Sequence, residues 1–231
     1  GIGSYSEESH RKVRHYADNV AAAHGAKLIV HVVEQEAGAG IRELATALHR
    51  PTCSTCGTIK RYQFNRAAVE QDYDVMATGH NLDDEAARLL GNVLHWQEEY
   101  LDKQSPTLPA SVEGFAKKVK PLCRLSEREI AAYAVVNRID YIVEECPMAK
   151  GSKMILYKEV LNRLETESPG TKQRFYWGFL EKQTKPEHAT ESMAEKDQRT
   201  LHPCTTCGQP TTAEICTYCK MMAKAKTATP R

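Results

Sequence analysis

Hydrophobic positions recur along this chain in two rhythms, and their alternation predicts an α/β fold. Residues 4–24 open on serines and acids, place Val13, Tyr16, Ala17, Val20 and Ala21 at helical spacing, and stop at Gly25, which predicts a helix. Residues 26–33, AKLIVHVV, are β-branched and almost continuously apolar, the pattern of a strand buried on both faces of a parallel sheet. His31 within that run reads as a packed polar residue. A short helix is predicted over 41–49, ended by the Arg50–Pro51 step. Thr52–Glu70 continues as a longer helix, followed by a buried strand over 73–78 around Val75, Met76 and Ala77, and a helix over 82–96.

The rhythm fades between Gln97 and Val119, where Pro106, Pro109 and Gly114 sit among polar residues, which predicts an excursion or lid over one edge. Ser126 and Glu129 form a capping box ahead of EREIAAYAVVNR. A short strand is expected over 140–143, running into Glu144, Glu145, Cys146 and Pro147, so that Cys146 falls at a strand's carboxyl end, where open α/β sheets hold ligands. Two further helices are expected over 152–166 and 171–183, parted by Ser168, Pro169 and Gly170. The domain boundaries that follow are a core over 1–183, a polar linker over 184–200, a cysteine module over 201–222, and a disordered tail over 223–231.

A chain of 231 residues with 41% hydrophobic residues can bury one α/β core and a small appendage. Its formal net charge of +1 gives no global field for nucleic acid. RNA contact therefore rests on local patches, such as Arg11–Arg14 or Lys117, Lys118 and Lys120, each of which alone reads as a solvated face. No apolar run reaches the roughly 20 residues that cross a bilayer, and the first residues have no signal or transit pattern, which predicts a cytoplasmic protein.

Cysteine spacing changes the picture most. Six of the eight cysteines form three Cys-x-x-Cys pairs, and in a long chain with its own core metal ligation is a better use for them than disulfides. Cys204-Thr-Thr-Cys207 and Cys216-Thr-Tyr-Cys219 predict a structural zinc held by four thiolates. A segment too small for a core of its own is then expected to be unfolded without metal.

The other pair opens the long central helix. Cys53 and Cys56 lie where the helix dipole and free amides favour thiolate, and Lys60 falls on the same stripe. Three readings compete for it: a thioredoxin-type dithiol, a second zinc, and an iron–sulfur cluster that takes Cys146 as third ligand and leaves one iron open. The third cysteine at a strand end favours the cluster. Cys123, without a partner at useful spacing, reads as a small buried residue. The turn Gly79-His80-Asn81 follows a strand and opens onto Asp83, Asp84 and Glu85 at a helix start. Acids there cap helices, and Asp84 is the one assigned to chemistry, as a base or metal ligand. His80 can contact a phosphate or a base, or bond its own backbone.

Taken together, CSTCGTIKR, ATGHNLDDEA, the later Cys146-Pro147 and the terminal four-cysteine module resemble the TtuA-type tRNA 2-thiouridine synthetases, a family related to the wobble-uridine thiolases and to TtcA. The resemblance covers nearly all of the chain, including its opening GIGSYSEES. It implies a parallel-sheet PP-loop ATPase core, adenine nucleotide alpha hydrolase-like, with a C-terminal zinc ribbon. It implies tRNA as substrate, and ATP with Mg²⁺ to adenylate a uridine C2 oxygen before sulfur from a [4Fe-4S] cluster displaces AMP. By the same resemblance Cys53, Cys56 and Cys146 hold the cluster, Lys60 and Asp84 are catalytic, and Gly79, His80 and Asn81 line the ATP site. Lys60 would stabilise charge on the phosphate or the activated carbonyl oxygen, and Asp84 would orient Mg²⁺ or the uracil. A ubiquitin-like carrier with a C-terminal thiocarboxylate and a homodimeric assembly are implied as well.

The family's SGGxDS loop and amino-terminal zinc module are missing from residues 1–231, and Lys150-Gly151-Ser152-Lys153 is no substitute. Without that loop's amides the pyrophosphate has no anion nest. With Gly1 in place of Met, this predicts a piece of a longer enzyme. A truncated inactive homologue, a zinc-ribbon RNA-binding or scaffold protein, and a redox dithiol protein are the alternatives.

Overall fold

Helices carry most of the chain. The computed structural model describes residues 4–101, 103–110, 114–184 and 201–228. In order, its elements are α1 (Ser4–His24), α2 (Val33–Ala37), α3 (Ile41–Ala47), α4 (Thr52–Glu70), β1 (Val75–Ala77), α5 (Leu82–Leu94), α6 (Glu98–Leu101), β2 (Thr107–Leu108), β3 (Lys117–Val119), α7 (Glu127–Val136), α8 (Lys153–Glu167), α9 (Thr171–Thr184), β4 (His202–Pro203), β5 (Pro210–Thr211) and α10 (Thr217–Ala228). The chain forms two compact units. One comprises the described residues within Gly1–Phe64, Ala131–Lys150 and Ile215–Arg231, the other those within Asn65–Ile130 and Gly151–Glu214.

The second unit is built on α5. Asn81 caps this helix, its side chain accepting the Asp84 N–H at 2.9 Å while the Asp84 carboxylate accepts the Asn81 N–H at 3.1 Å. This reciprocal bonding satisfies two amides that the first turn leaves over. Leu82, Ala86 and Leu89, spaced i, i+4, i+7, turn one stripe of α5 inward against Leu161 of α8, Tyr176 of α9 and Cys123. Burying each large apolar side chain contributes on the order of 2 kcal/mol. Gly91 lets α8 approach, since a Cβ there would lie 2.8 Å from the Tyr157 ring. Beside the helices, β1 and β3 pair in parallel with Met76 opposite Lys118, and β2 pairs antiparallel to β3.

In the first unit, Ile41, Leu44 and Leu48 pack with Ile59 of α4 and with Met221 and Ala225 of α10. Tyr62 and Tyr218 stack with ring centroids 3.6 Å apart. On α1, Arg11 is paired with Glu8 and Lys12 with Asp140, so part of that basic patch is neutralised within the protein.

Several expectations are corrected. Residues 26–33 and 140–143 pair with no strand among the described residues, and Val30, Val32 and Val143 are exposed. An apolar run becomes a strand only when a neighbouring backbone takes up its hydrogen bonds. Cys146 consequently lies in a loop rather than at a strand end. β1 is exposed at Val75 rather than buried. The expected excursion over 97–119 contains the central strand of the sheet, β3, whose Lys-Lys-Val sequence gives no strand signal. Lys120 is buried and belongs to no solvated patch. The tail expected after Met222 is helical to Ala228, because Ala225 is buried against α3 and α4. The linker over 184–200 lies, from 185 on, outside the described residues. No described helix is long and apolar enough to cross a membrane.

Candidate functional site

The first unit gathers one set of predicted site residues. α4 starts directly after Pro51, whose fixed backbone suits the entry to a helix, and this puts Cys53 and Cys56 in the first two turns. Cys53 is exposed and its thiol donates to the Met148 carbonyl at 3.4 Å. Met148 lies inside a turn closed by the Ala149 N–H donating to the Cys146 carbonyl at 2.8 Å. The loop that carries Cys146 is thus laid against the start of α4.

Electrostatics links the same residues. Burial pushes the half-buried Cys56 thiol above its ordinary pKa, Lys60 pulls it down, and Cys146 and Cys53 push it up as neighbouring negative charges. Cys53, Cys56, Lys60 and Cys146 therefore share one local field. No disulfide joins any of the eight cysteines. Thiols with a lysine beside them suit a thiophilic metal or cluster, but among the described residues only the four C-terminal cysteines bring their ligand atoms close enough to hold an ion, and Cys53, Cys56 and Cys146 do not converge to that degree. Cys123, by contrast, is buried in the other unit's core with its thiol pushed up by that burial, as its isolation in the sequence predicts.

Cys204, Cys207, Cys216 and Cys219 place their sulfurs within 4.8 Å of one another. Thiolates about 2.3 Å from one zinc ion would stand about 3.8 Å apart at the corners of a tetrahedron, so four sulfurs this close match a single-ion site. The antiparallel pair β4–β5 shapes the module, and Cys216 and Cys219 bracket the start of α10.

The second unit holds the β1–α5 turn. An added Cβ at Gly79 would meet nothing within 4 Å, so the backbone is open there. His80 Nδ1 lies 2.8 Å from Thr78 Oγ1, and burial first, then Arg88 and Lys118, lower its pKa, so the ring is held neutral. Asn81 is the cap of α5. Asp84 has one oxygen on the Asn81 N–H and the other 2.7 Å from Lys158 Nζ on α8.

Sequence reasoning missed the roles of the flanking acids. Asp83 takes Lys172 and the Glu127 N–H, and Glu85 takes Lys120 at 2.5 Å. Both acids are buried structural anchors, and Asp84 between them is partly exposed. Lys158, the cation that faces Asp84, carries no local signal, because it reaches Asp84 only through the packing of α8 on α5.

No family model matches the chain. It is 46% identical over 221 residues to the tRNA-5-methyluridine(54) 2-sulfurtransferase of Thermus thermophilus, an alignment spanning 96% of this chain and 65% of that protein. To the enzyme of the same name from Pyrococcus horikoshii it is 43% identical, over 98% of this chain and 69% of the relative.

The chain belongs to the family of TtuA-type tRNA 2-thiouridine synthetases.

A solved member of this wider group, the U34-tRNA thiolase NcsA of Methanococcus maripaludis with its [4Fe-4S] cluster, matches with a TM-score of 0.58 at 28% identity, over 73% of this chain and 51% of that one. The fold class expected of the sequence, an α/β PP-loop ATPase core with a C-terminal cysteine ribbon, therefore stands. The chain spans just under two thirds of the length of the Thermus relative.

Proposed function

We propose that the complete protein is a tRNA uridine 2-sulfurtransferase that uses ATP to replace a uridine C2 oxygen by sulfur. The observation that carries this reading is the Cys146 loop laid against the start of α4, where the Cys53 thiol donates to the Met148 carbonyl. The methylated uridine at position 54 is the proposed target, because the relatives named for it share 43–46% identity with this chain whereas the U34 thiolase shares 28%.

In this scheme the uridine O2 attacks the α-phosphorus of ATP and releases pyrophosphate, and a sulfur nucleophile at C2 then expels AMP. Cys53, Cys56 and Cys146 would hold the [4Fe-4S] cluster, which supplies an iron with a free position for exogenous sulfur. Lys60, exposed on α4 beside the sulfurs, would offset the negative charge that develops on the departing oxygen or phosphate. Gly79 would leave room for the nucleotide, with neutral His80 and Asn81 bordering it. Asp84, whose oxygens keep lone pairs beyond Asn81 and Lys158, would orient Mg²⁺ or the uracil. The four C-terminal cysteines would hold a structural zinc. A thiocarboxylated carrier protein, a homodimer and a cytoplasmic location complete the proposal.

Anaerobically reconstituted full-length protein, incubated with ATP, Mg²⁺, sulfide and tRNA transcript, tests it by nucleoside mass spectrometry. The expected product is a 2-thiolated uridine that disappears with Lys60→Ala. Pyrophosphate release without thiolated nucleoside, or no tRNA-dependent ATP turnover, would overturn the reading.

A further inference from the structure

One side of α9 lines an open pocket of about 410 Å³ with Arg124, Gln173, Arg174, Trp177, Gly178 and Glu181. This volume falls within the roughly 300–1,000 Å³ usual for small-molecule sites. Positions 173, 174, 177, 178 and 181 fall on one helical stripe, and Gln173 fastens the stripe to the neighbouring turn by donating to the Arg124 carbonyl at 3.1 Å.

Two features give this open pocket groups that a ligand can use. The Arg124 guanidinium lies 4.2 Å over the Trp177 ring and forms no ion pair among the described residues, so its outer face is a planar, charged shelf. The Arg174 guanidinium is fixed by Pro169, Ser168 and Thr171, which use three of its five N–H donors and leave two for an anion.

A stacking plane and a preset guanidinium match two parts of one nucleotide, its base and its phosphate. We infer that this cavity binds an unpaired nucleotide of the RNA substrate, with the base on the Arg124–Trp177 stack and a phosphate on Arg174. Gly178 keeps the floor clear, since an added Cβ there would meet nothing within 4 Å. The inference rests on the tRNA reading above and adds a recognition site beside the β1–α5 turn, since Leu125, which follows Arg124, accepts the Leu82 N–H at 2.9 Å.

The same glycine supplies the sharpest test. Leu at 178 is compatible with the helix and obstructs only the cavity, so Gly178→Leu should fold with an unchanged or raised Tm. Fluorescence anisotropy of the full chain with an unmodified tRNA transcript should show affinity falling on the order of tenfold for Gly178→Leu and for Arg124→Ala, the loss of one base stack. Arg124→Lys, which keeps charge but not the plane, should stay weakened. Undiminished binding by both Gly178→Leu and Arg124→Ala would overturn the site while leaving the tRNA reading intact. Full recovery in Arg124→Lys would overturn the stacking role. Failure of the unaltered chain to bind the transcript would remove the tRNA reading and this site together.

Discussion

Lys120 donates to Glu85 across 2.5 Å, and the two side chains are 1% and 0% exposed. Burial lowers the Lys120 pKa and the Glu85 hydrogen bond opposes that shift, so the lysine depends on its partner to remain charged. Such a pair is costly to break from one side, because the remaining charge has no water to return to. Glu85→Ala should cost about 3–5 kcal/mol in urea unfolding, and the double change Glu85→Leu, Lys120→Met should restore most of it. A loss below about 1 kcal/mol in the single variant would show that water reaches the pair.

His80 makes stability depend on pH. Its folded-state pKa is held below the ordinary histidine value, chiefly by burial and then by Arg88 and Lys118. The unfolded chain therefore binds more protons as pH falls through the histidine range, and stability must drop on acidification. Tm measured from pH 7.5 down to 5 should fall more steeply for the native chain than for His80→Gln. Parallel curves would contradict a half-buried neutral ring at this turn.

These two predictions mark what the sequence could and could not reveal. The helices Thr52–Glu70, Leu82–Leu94, Lys153–Glu167 and Thr171–Thr184 are legible because apolar spacing and caps are local properties. The capping box of Ser126 and Glu129 is legible for the same reason, with the Ser126 N–H donating to Glu129 at 2.7 Å. Lys117–Val119 is not, since a three-residue strand rich in lysine is specified by its neighbours β1 and β2 rather than by its own composition. Residues 26–33 mislead in the opposite sense, having strand composition without a paired strand. In the site, cysteine spacing reveals both sulfur sets, whereas the anchoring of Asp83 and Glu85 by Lys172 and Lys120 exists only after packing.

The C-terminal four-cysteine module has a structural consequence for α4. Cys216 and Cys219 bracket the start of α10, and that helix buries Met221 and Ala225 against α3 and α4 and stacks Tyr218 on Tyr62. Removing the metal should therefore release α10, because four unligated thiols cannot hold so small a segment. Chelation is expected to lower Tm and to abolish the near-ultraviolet dichroism of the tyrosine stack. Tyr218→Ala should weaken the same packing by about 1–3 kcal/mol with zinc still bound. Retention of the tyrosine signal after complete zinc loss would contradict the coupling.

Iron and acid-labile sulfide content bears most directly on the central claim that Cys53, Cys56 and Cys146 act as one ligand set. Protein reconstituted anaerobically should carry about four of each per chain. Cys146→Ser should lose them while keeping its zinc, and Cys123→Ser should retain both. A native chain that binds zinc alone, or a Cys146→Ser variant with undiminished iron, would contradict the account.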